Sequence, residues 1–212
     1  MRDRRYSAPA FGERGTLRGP RRRPAFIAAC VGMATASALA NYLVQFHINE
    51  WLTFGSFAYA ATFLVNELTN RFLGPQAARR VVYVGFVVAL PLALALAPWR
   101  IALAFATAFL LSQLTDIAIF SKLRQRAWWI APGVASILAT ALDTATFFSI
   151  AFIGTNHSWW RMIIGDFVTK FVIDLAMLGP FRVAMRTIGG RTTPSDASTQ
   201  DGLDLGQPLL DA

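Results

Sequence analysis

Six apolar stretches alternate with short polar segments along the chain. They cover residues 24–46, 52–73, 81–98, 101–120, 130–153 and 159–185. Each stretch is close to the roughly 20 apolar residues that an α-helix needs to cross a bilayer. The pattern predicts an all-α polytopic membrane protein, in which residues 24–188 form a bundle of six transmembrane helices.

The two ends of the chain lack this pattern. Residues 1–23 contain eight arginines, and residues 189–212 are rich in Thr, Ser, Pro, Gly and Asp. Neither segment can bury enough apolar surface to offset the entropy lost on ordering. We therefore expect both ends to be disordered tails.

Composition and charge favour a membrane protein over a soluble enzyme. Apolar residues make up 55% and charged residues 15% of the chain, against about 45–50% and 25% in soluble domains. Of the 20 Lys and Arg residues, 17 lie in the tails and in the loops on one side of the predicted helices, whereas Arg100 and Arg161 lie on the other side. The positive-inside rule then places both termini in the cytoplasm. The net charge of +8 reflects this orientation and does not indicate a nucleic-acid partner.

The first apolar stretch allows two alternatives. Three arginines precede a short apolar run that ends in Ala38-Leu39-Ala40, which resembles a cleavable signal peptide and would leave five helices. Within the same stretch, small residues recur at every fourth position: Ala28, Gly32, Ala36 and Ala40. Such a stripe lets another helix approach closely, either from the same chain or from a separate subunit.

Ionisable residues inside the apolar stretches are the main functional signal. They are Glu67, Asp116, Asp143, Asp166, Lys170 and Asp174. A carboxylate at the bilayer centre costs about 2.5–3.5 kcal/mol on insertion scales, so such residues usually line a bundle interior or a wet cavity. Structural alternatives remain open: an ion pair of Glu67 with Arg71, a hydrogen-bonded buried acid at Asp143, and an ion pair of Lys170 with Asp166.

The sequence argues against catalysis. Nucleophilic chemistry needs a base within reach, but the only histidines, His47 and His157, lie in predicted outer loops, and Cys30 is the single cysteine. The sequence contains neither a Gly-rich phosphate loop nor an H-E-x-x-H metal motif. We therefore expect no enzyme, no cofactor and no metal site.

Ordered short motifs in five of the predicted helices resemble one family. They are Asn41-Tyr42-Leu43-Val44-Gln45; Glu67-Leu68 with Arg71; Gln113, Asp116 and Phe120; Trp128-Trp129 with Ala131-Pro132; Asp143-Thr144 with Phe147-Phe148; and Asp166 with Lys170. This set resembles the VUT (vitamin uptake transporter) family, whose better understood bacterial members carry queuosine precursors. The resemblance extends over residues 41–170.

The resemblance implies a six-helix secondary transporter of the bacterial inner membrane. Its substrate would be 7-cyano-7-deazaguanine, and 7-aminomethyl-7-deazaguanine as a second precursor, for salvage into tRNA queuosine. The implied partners are this small molecule and the lipid bilayer, and a homo-oligomer stays open. The alternative function is the substrate-binding membrane subunit of an ATP-driven vitamin importer.

The same resemblance, combined with the chemistry of a guanine-like ring, suggests a set of site residues. Asp143, Asp116 and Glu67 are candidates to accept the two parallel hydrogen bonds of the ring edge. The remaining candidates are Gln113 and Asn66 as donors to the ring oxygen, Phe120, Phe147 and Phe148 as stacking partners, Asn41 and Gln45 as further substrate contacts, and Asp166 with Lys170 as an ion-coupling or ion-pair site.

Overall fold

The structure, a computed structural model, describes residues 22–49, 52–154 and 160–189. These residues form six α-helices, as predicted. The helices are α1 (Arg22–Leu43), α2 (Phe54–Leu73), α3 (Pro75–Leu96), α4 (Trp99–Leu123), α5 (Ile130–Phe152) and α6 (Trp160–Gly189). Most of both predicted tails, together with Trp51, His157 and Trp159, lies outside the described residues.

The largest difference from the predicted boundaries is at the start of α3. The apolar pattern begins at Val81, but the helix begins at Pro75. A proline fits the first helical position because its backbone nitrogen has no hydrogen to leave unpaired there. Gly74 alone connects α2 to α3 with a φ of 88°, a value that glycine adopts without the strain a Cβ would cause. The two helices are therefore separated by a one-residue turn.

Four of the six helices, α1, α3, α4 and α5, are long and apolar enough to cross a membrane. Helices α2 and α6 do not reach this apolar character, and they carry Asn66 and Glu67 on α2 and Asp166 and Lys170 on α6. The prediction of six helices is confirmed, and four of them have the character of membrane spans.

The bundle has an interior with polar groups and an apolar exterior. Its core contains Phe63, Val81, Phe109 and Ile117 from α2, α3 and α4, with a second cluster around Phe120 and Phe181. The buried polar side chains include Thr62, Asn66, Asn70, Gln113, Asp116, Thr140 and Asp143. Large apolar side chains are exposed on the outside, with Val31 60% and Val87 67% accessible. This arrangement is typical of a bundle whose outer surface contacts lipid tails.

The small residues of α1 pack within the bundle. Ala36 and Ala40 are buried, and a Cβ added to Gly32 would lie 3.6 Å from a methyl group of Val65 on α2. Three of the four stripe positions therefore support packing in the same chain, whereas Ala28 is exposed. The closest approach to backbone involves α2, where a Cβ on Gly55 would lie 2.6 Å from the backbone nitrogen of Val44.

We expect Gly55→Ala to destabilise the bundle, because the added methyl group would force α1 and α2 apart. Overpacking of this kind costs about 1–3 kcal/mol, and we expect a lower temperature of thermal unfolding for the detergent-solubilised protein. The matched control is Gly133→Ala in α5, where a Cβ meets no atom within 4 Å. Equal unfolding temperatures for both variants would contradict the close packing of α1 on α2.

Candidate functional site

A cavity of about 230 Å³ lies at the end of the bundle where α1, α3 and α5 end and α2, α4 and α6 begin. All six helices contribute to its wall. The polar lining residues are Asn41, Gln45, Thr53, Ser56, Tyr59, Asp143, Asp166 and Lys170, and the aromatic ones besides Tyr59 are Phe105 and Phe147. This is the end that the charge pattern predicts to face away from the cytoplasm.

Asp143 of α5 is the most buried carboxylate of the cavity wall, with its side chain 4% exposed. Its Oδ1 accepts hydrogen bonds from the Tyr59 hydroxyl at 2.5 Å and from the Ser112 hydroxyl at 3.3 Å. Its Oδ2 lies 2.9 Å from the Lys170 ammonium group. The carboxylate is thus held by side chains from α2, α4 and α6.

Lys170 joins two carboxylates at this wall. Its ammonium nitrogen lies 2.7 Å from Oδ2 of Asp166, one helical turn away on α6, and 5.5 Å from the centre of the Tyr59 ring. The Thr144 hydroxyl donates a further hydrogen bond of 2.9 Å to Asp166. With both acids ionised, the group formed by Asp143, Asp166 and Lys170 carries one net negative charge.

Aromatic faces surround this charged group. The Tyr59 ring lies 5.9 Å from Phe105 and 6.2 Å from Phe109, measured between ring centres. Phe147 contributes a ring from α5 and contacts Phe148 edge to face at 5.3 Å. A wall that combines a buried carboxylate with aromatic surfaces is suited to a flat ring that carries hydrogen-bond donors on one edge.

Below the cavity, polar side chains connect α2 to α4 in successive steps. The bonds run from Gln113 Nε2 to Thr62 Oγ1 (2.7 Å), from Asn66 Nδ2 to Asp116 Oδ2 (2.9 Å), from Asn70 Nδ2 to Ser121 Oγ (3.1 Å), from Arg71 to the Arg124 carbonyl (2.6 Å) and from Arg124 to the Arg71 carbonyl (3.0 Å). We call this series the α2–α4 ladder. None of its members lines the cavity, so the ladder closes the half of the bundle opposite the cavity opening.

Two further acids are paired with hydroxyl groups of α5. Ser136 donates to Glu67 at 2.6 Å, and Thr140 donates to Asp174 at 2.5 Å. The ion pair of Glu67 with Arg71 that the spacing allowed is not formed, because the Arg71 guanidinium group binds the Arg124 carbonyl instead. Both acids therefore connect α5 to α2 or α6 away from the cavity.

Three buried oxygen atoms of the ladder region have no hydrogen-bond partner among the described residues. They are Asn66 Oδ1, Gln113 Oε1 and Asp116 Oδ1. An acceptor buried without a partner costs about 1–3 kcal/mol, so such atoms are rare in folded proteins. The ladder therefore holds unused acceptors in the interior of the bundle.

The structure divides the predicted site residues into two groups. Asn41, Gln45, Asp143, Phe147, Asp166 and Lys170 line the cavity. The other predicted residues do not line the cavity. Asn66, Gln113 and Asp116 lie in the ladder, and Glu67 contacts Ser136. Phe120 packs against Phe181, and Phe148 contacts Phe147. The substrate roles of both groups remain predictions.

Sequence reasoning missed Tyr59, Ser112 and Phe105. Tyr59 precedes Thr62 by three and Asn66 by seven residues, so these positions share one helical face. That periodicity could have identified Tyr59 as part of the polar stripe of α2. On α4, Ser112 lies four residues before Asp116 and Phe105 eight residues before Gln113, so the same periodicity places each near a predicted site residue.

Comparison with known proteins identifies related sequences. The family described as "Putative vitamin uptake transporter" matches residues 92–185. The chain is 29% identical over 169 residues to the "Queuosine precursor transporter" of Escherichia coli (strain K12), covering 66% of this chain and 76% of that protein. It is 27% identical over 154 residues to the "Probable queuosine precursor transporter" of Haemophilus influenzae, covering 60% and 66%. For the Bacillus subtilis protein of the same name the identity is 25% over 164 residues, covering 63% and 71%. No solved structure matches the chain.

These matches confirm the resemblance to the VUT family that the motifs indicated. The family and the named relatives are transporters, which confirms the prediction that the chain is not an enzyme. Together with the four apolar helices, they indicate a multi-pass membrane protein. The relatives' names do not favour the alternative of a subunit of an ATP-driven vitamin importer.

We expect Lys170→Met to reduce the yield of folded protein strongly, because Asp143 and Asp166 would lose their shared cation. Removing one partner of a buried ion pair costs about 3–5 kcal/mol. Adding Asp143→Asn in the same chain should recover much of the yield, since it removes one of the uncompensated charges. The measurement is the monodisperse peak in fluorescence-detected gel filtration.

The matched control for this experiment is Arg161→Met. It removes a cation from the same helix, but Arg161 is exposed and contacts the Trp160 ring. We expect nearly the original yield from this variant. An equal loss in Lys170→Met and Arg161→Met, or no recovery in the double variant, would contradict a structural role for the shared cation.

Proposed function

We propose that the chain is a secondary transporter of the bacterial inner membrane that imports queuosine precursors, with 7-cyano-7-deazaguanine as the main substrate. The observation that carries this proposal is the cavity in which a buried carboxylate, Asp143, lies among aromatic rings. Three relatives named as queuosine precursor transporters support the substrate class.

The proposed topology has six membrane crossings with both termini in the cytoplasm. Helices α2 and α6 cross as well, since each runs beside apolar helices and directs its polar residues to the interior. Arg71, Arg79, Arg80 and Arg124 then lie near the cytoplasmic surface, as the positive-inside rule requires. The cavity opens toward the opposite side, where imported substrate arrives.

The ring edge of a deazaguanine presents an N1–H and an exocyclic amine side by side. One carboxylate can accept both hydrogen bonds. In the structure, Oδ2 of Asp143 contacts Lys170, which also contacts Asp166. The substrate edge therefore displaces Lys170 from Oδ2 and the longer Ser112 bond from Oδ1, while Lys170 stays paired with Asp166 on its own helix. Phe147 and Phe105 contact the faces of the ring.

Transport further requires the closed half of the bundle to open. The α2–α4 ladder separates the cavity from the cytoplasmic end, and its unpartnered acceptors at Asn66, Gln113 and Asp116 lie on that route. When α2 and α4 separate, these groups become available to the substrate amine and ring nitrogens. Alternating access requires this side to open only after the substrate has bound, so the two groups of predicted site residues act in sequence, first at Asp143 and afterwards in the ladder.

The test of the substrate is queuosine accumulation in tRNA. The gene is expressed in a bacterial strain that neither synthesises the precursors nor has its own importer, with nanomolar 7-cyano-7-deazaguanine in the medium. We expect restored queuosine. Absence of queuosine, with the protein shown in the membrane, would contradict the proposed substrate.

In the same strain we expect Asp143→Asn to lower queuosine accumulation at least about tenfold, because an amide can accept only one of the two ring hydrogen bonds. The matched control is Asp174→Asn, a buried acid that binds Thr140 and does not line the cavity. We expect it to retain most of the activity. Wild-type accumulation in the Asp143→Asn strain would contradict the role of Asp143 in binding the ring.

Opening of the ladder can be tested by cross-linking. Asn70 and Ser121 contact each other across α2 and α4, so we replace both with cysteine in a Cys30→Ser background. We expect a short thiol-specific cross-linker to stop uptake of labelled substrate, and a cleavable cross-linker to allow recovery after reduction. Each single-cysteine variant treated with the same reagent is the control. Full uptake by the cross-linked protein would show that α2 and α4 need not separate.

A further inference from the structure

A second cavity lies in a groove at the opposite end of the bundle. It has a volume of about 300 Å³ and lies where α1 begins, α2 ends and α3 begins. Its polar lining residues are Arg22, Arg23, Gln76 and Arg80, and the rest of its lining is apolar. We call this cavity the arginine groove, and it shares no residue with the substrate cavity.

The charges of the arginine groove are unbalanced. Its lining holds three guanidinium groups and one carboxamide but no carboxylate. Over residues 22–49, 52–154 and 160–189, none of the three arginines forms an ion pair. Arginine binds phosphate oxygens through two parallel N–H bonds. The groove therefore has the chemistry of a phosphate site, and no carboxylate of the described residues neutralises it.

The floor of the groove is apolar. It contains the buried Leu73 and Ala77 and the half-buried Phe26. A free phosphate ion gains nothing from such a floor, whereas the glycerol and upper acyl carbons of a lipid do.

Exposed apolar residues continue from the groove along both of its helices. On α1, Ile27 is followed one turn later by Val31, and the two side chains are 61% and 60% exposed. On α3, Arg80 is followed by Val84 and Val87 on the same face, and Val87 is 67% exposed. An acyl chain that leaves the groove therefore meets apolar surface over several turns.

We propose that the arginine groove binds the headgroup of an anionic phospholipid of the cytoplasmic leaflet, with its acyl chains along the exposed apolar faces of α1 and α3. Basic pockets between transmembrane helices on the cytoplasmic side are suited to such headgroups. A headgroup bound here contacts the ends of three helices, α1, α2 and α3. The bound lipid thereby stabilises the packing of α1 against α2 and α3.

The proposal is tested by native mass spectrometry of the full chain released from detergent. The probes are phosphatidylglycerol and, as the zwitterionic comparison, phosphatidylcholine. We expect the wild type to bind phosphatidylglycerol more tightly. Arg23→Gln combined with Arg80→Gln should weaken this binding about 25-fold, since each arginine changes the affinity for an anionic lipid by roughly fivefold.

The matched control combines Arg79→Gln with Arg126→Gln. It removes the same charge from two exposed arginines outside the groove, and we expect nearly wild-type binding. Thermal unfolding without added lipid checks that both double variants are folded. An equal loss of phosphatidylglycerol binding in the two double variants would show general attraction to surface charge and overturn the proposal. Equal binding of phosphatidylglycerol and phosphatidylcholine by the wild type would also overturn it.

A competition experiment distinguishes binding of a lipid from binding of a free phosphate. Glycerol phosphate at millimolar concentration carries the charge of the headgroup without the acyl chains. We expect it to leave phosphatidylglycerol bound. Complete displacement by glycerol phosphate, or by inorganic phosphate, would assign the groove to a soluble anion and overturn the assignment to a lipid.

Discussion

The need to pair polar groups inside an apolar bundle determines how these helices pack. The clearest case is the Asp143 carboxylate, which receives Tyr59 from α2, Ser112 from α4 and Lys170 from α6. In a bilayer, water cannot replace such partners. The carboxylate thereby fixes the relative positions of four helices and, in the same arrangement, places a charged group in the cavity wall.

The same requirement is met in two different ways along the bundle axis. Near the cavity, the charges of Asp143, Asp166 and Lys170 are paired with each other, but they still border open space. Below the cavity, the amides and acids of α2 and α4 are paired across a closed interface. Helices α2 and α4 therefore take part both in the cavity and in its closure, so a change at one end can be transmitted to the other through rigid helices.

The closed interface is not fully satisfied. Asn66, Gln113 and Asp116 each leave one buried oxygen unpaired among the described residues, although the side-chain nitrogens of Asn66 and Gln113 are bonded. Unpaired acceptors lower the free energy needed to separate α2 from α4, since fewer bonds are lost than the number of polar groups suggests. At the far end, Arg71 and Arg124 bind each other's carbonyls and so connect α2 to α4 by two further hydrogen bonds.

The sequence by itself determined the number and approximate extent of the helices, because apolar periodicity and turn residues are local properties of the chain. It also identified which acids are unusual, since a charge inside an apolar stretch is recognisable without coordinates. Only the tertiary structure decided their partners. Glu67 contacts Ser136 in place of Arg71, and Lys170 reaches Asp143 on another helix in addition to Asp166. Tyr59 joined the site, and Asp116 was separated from Asp143, because helix rotation and depth depend on packing between segments distant in sequence. A single sequence does not encode those relations as a local pattern.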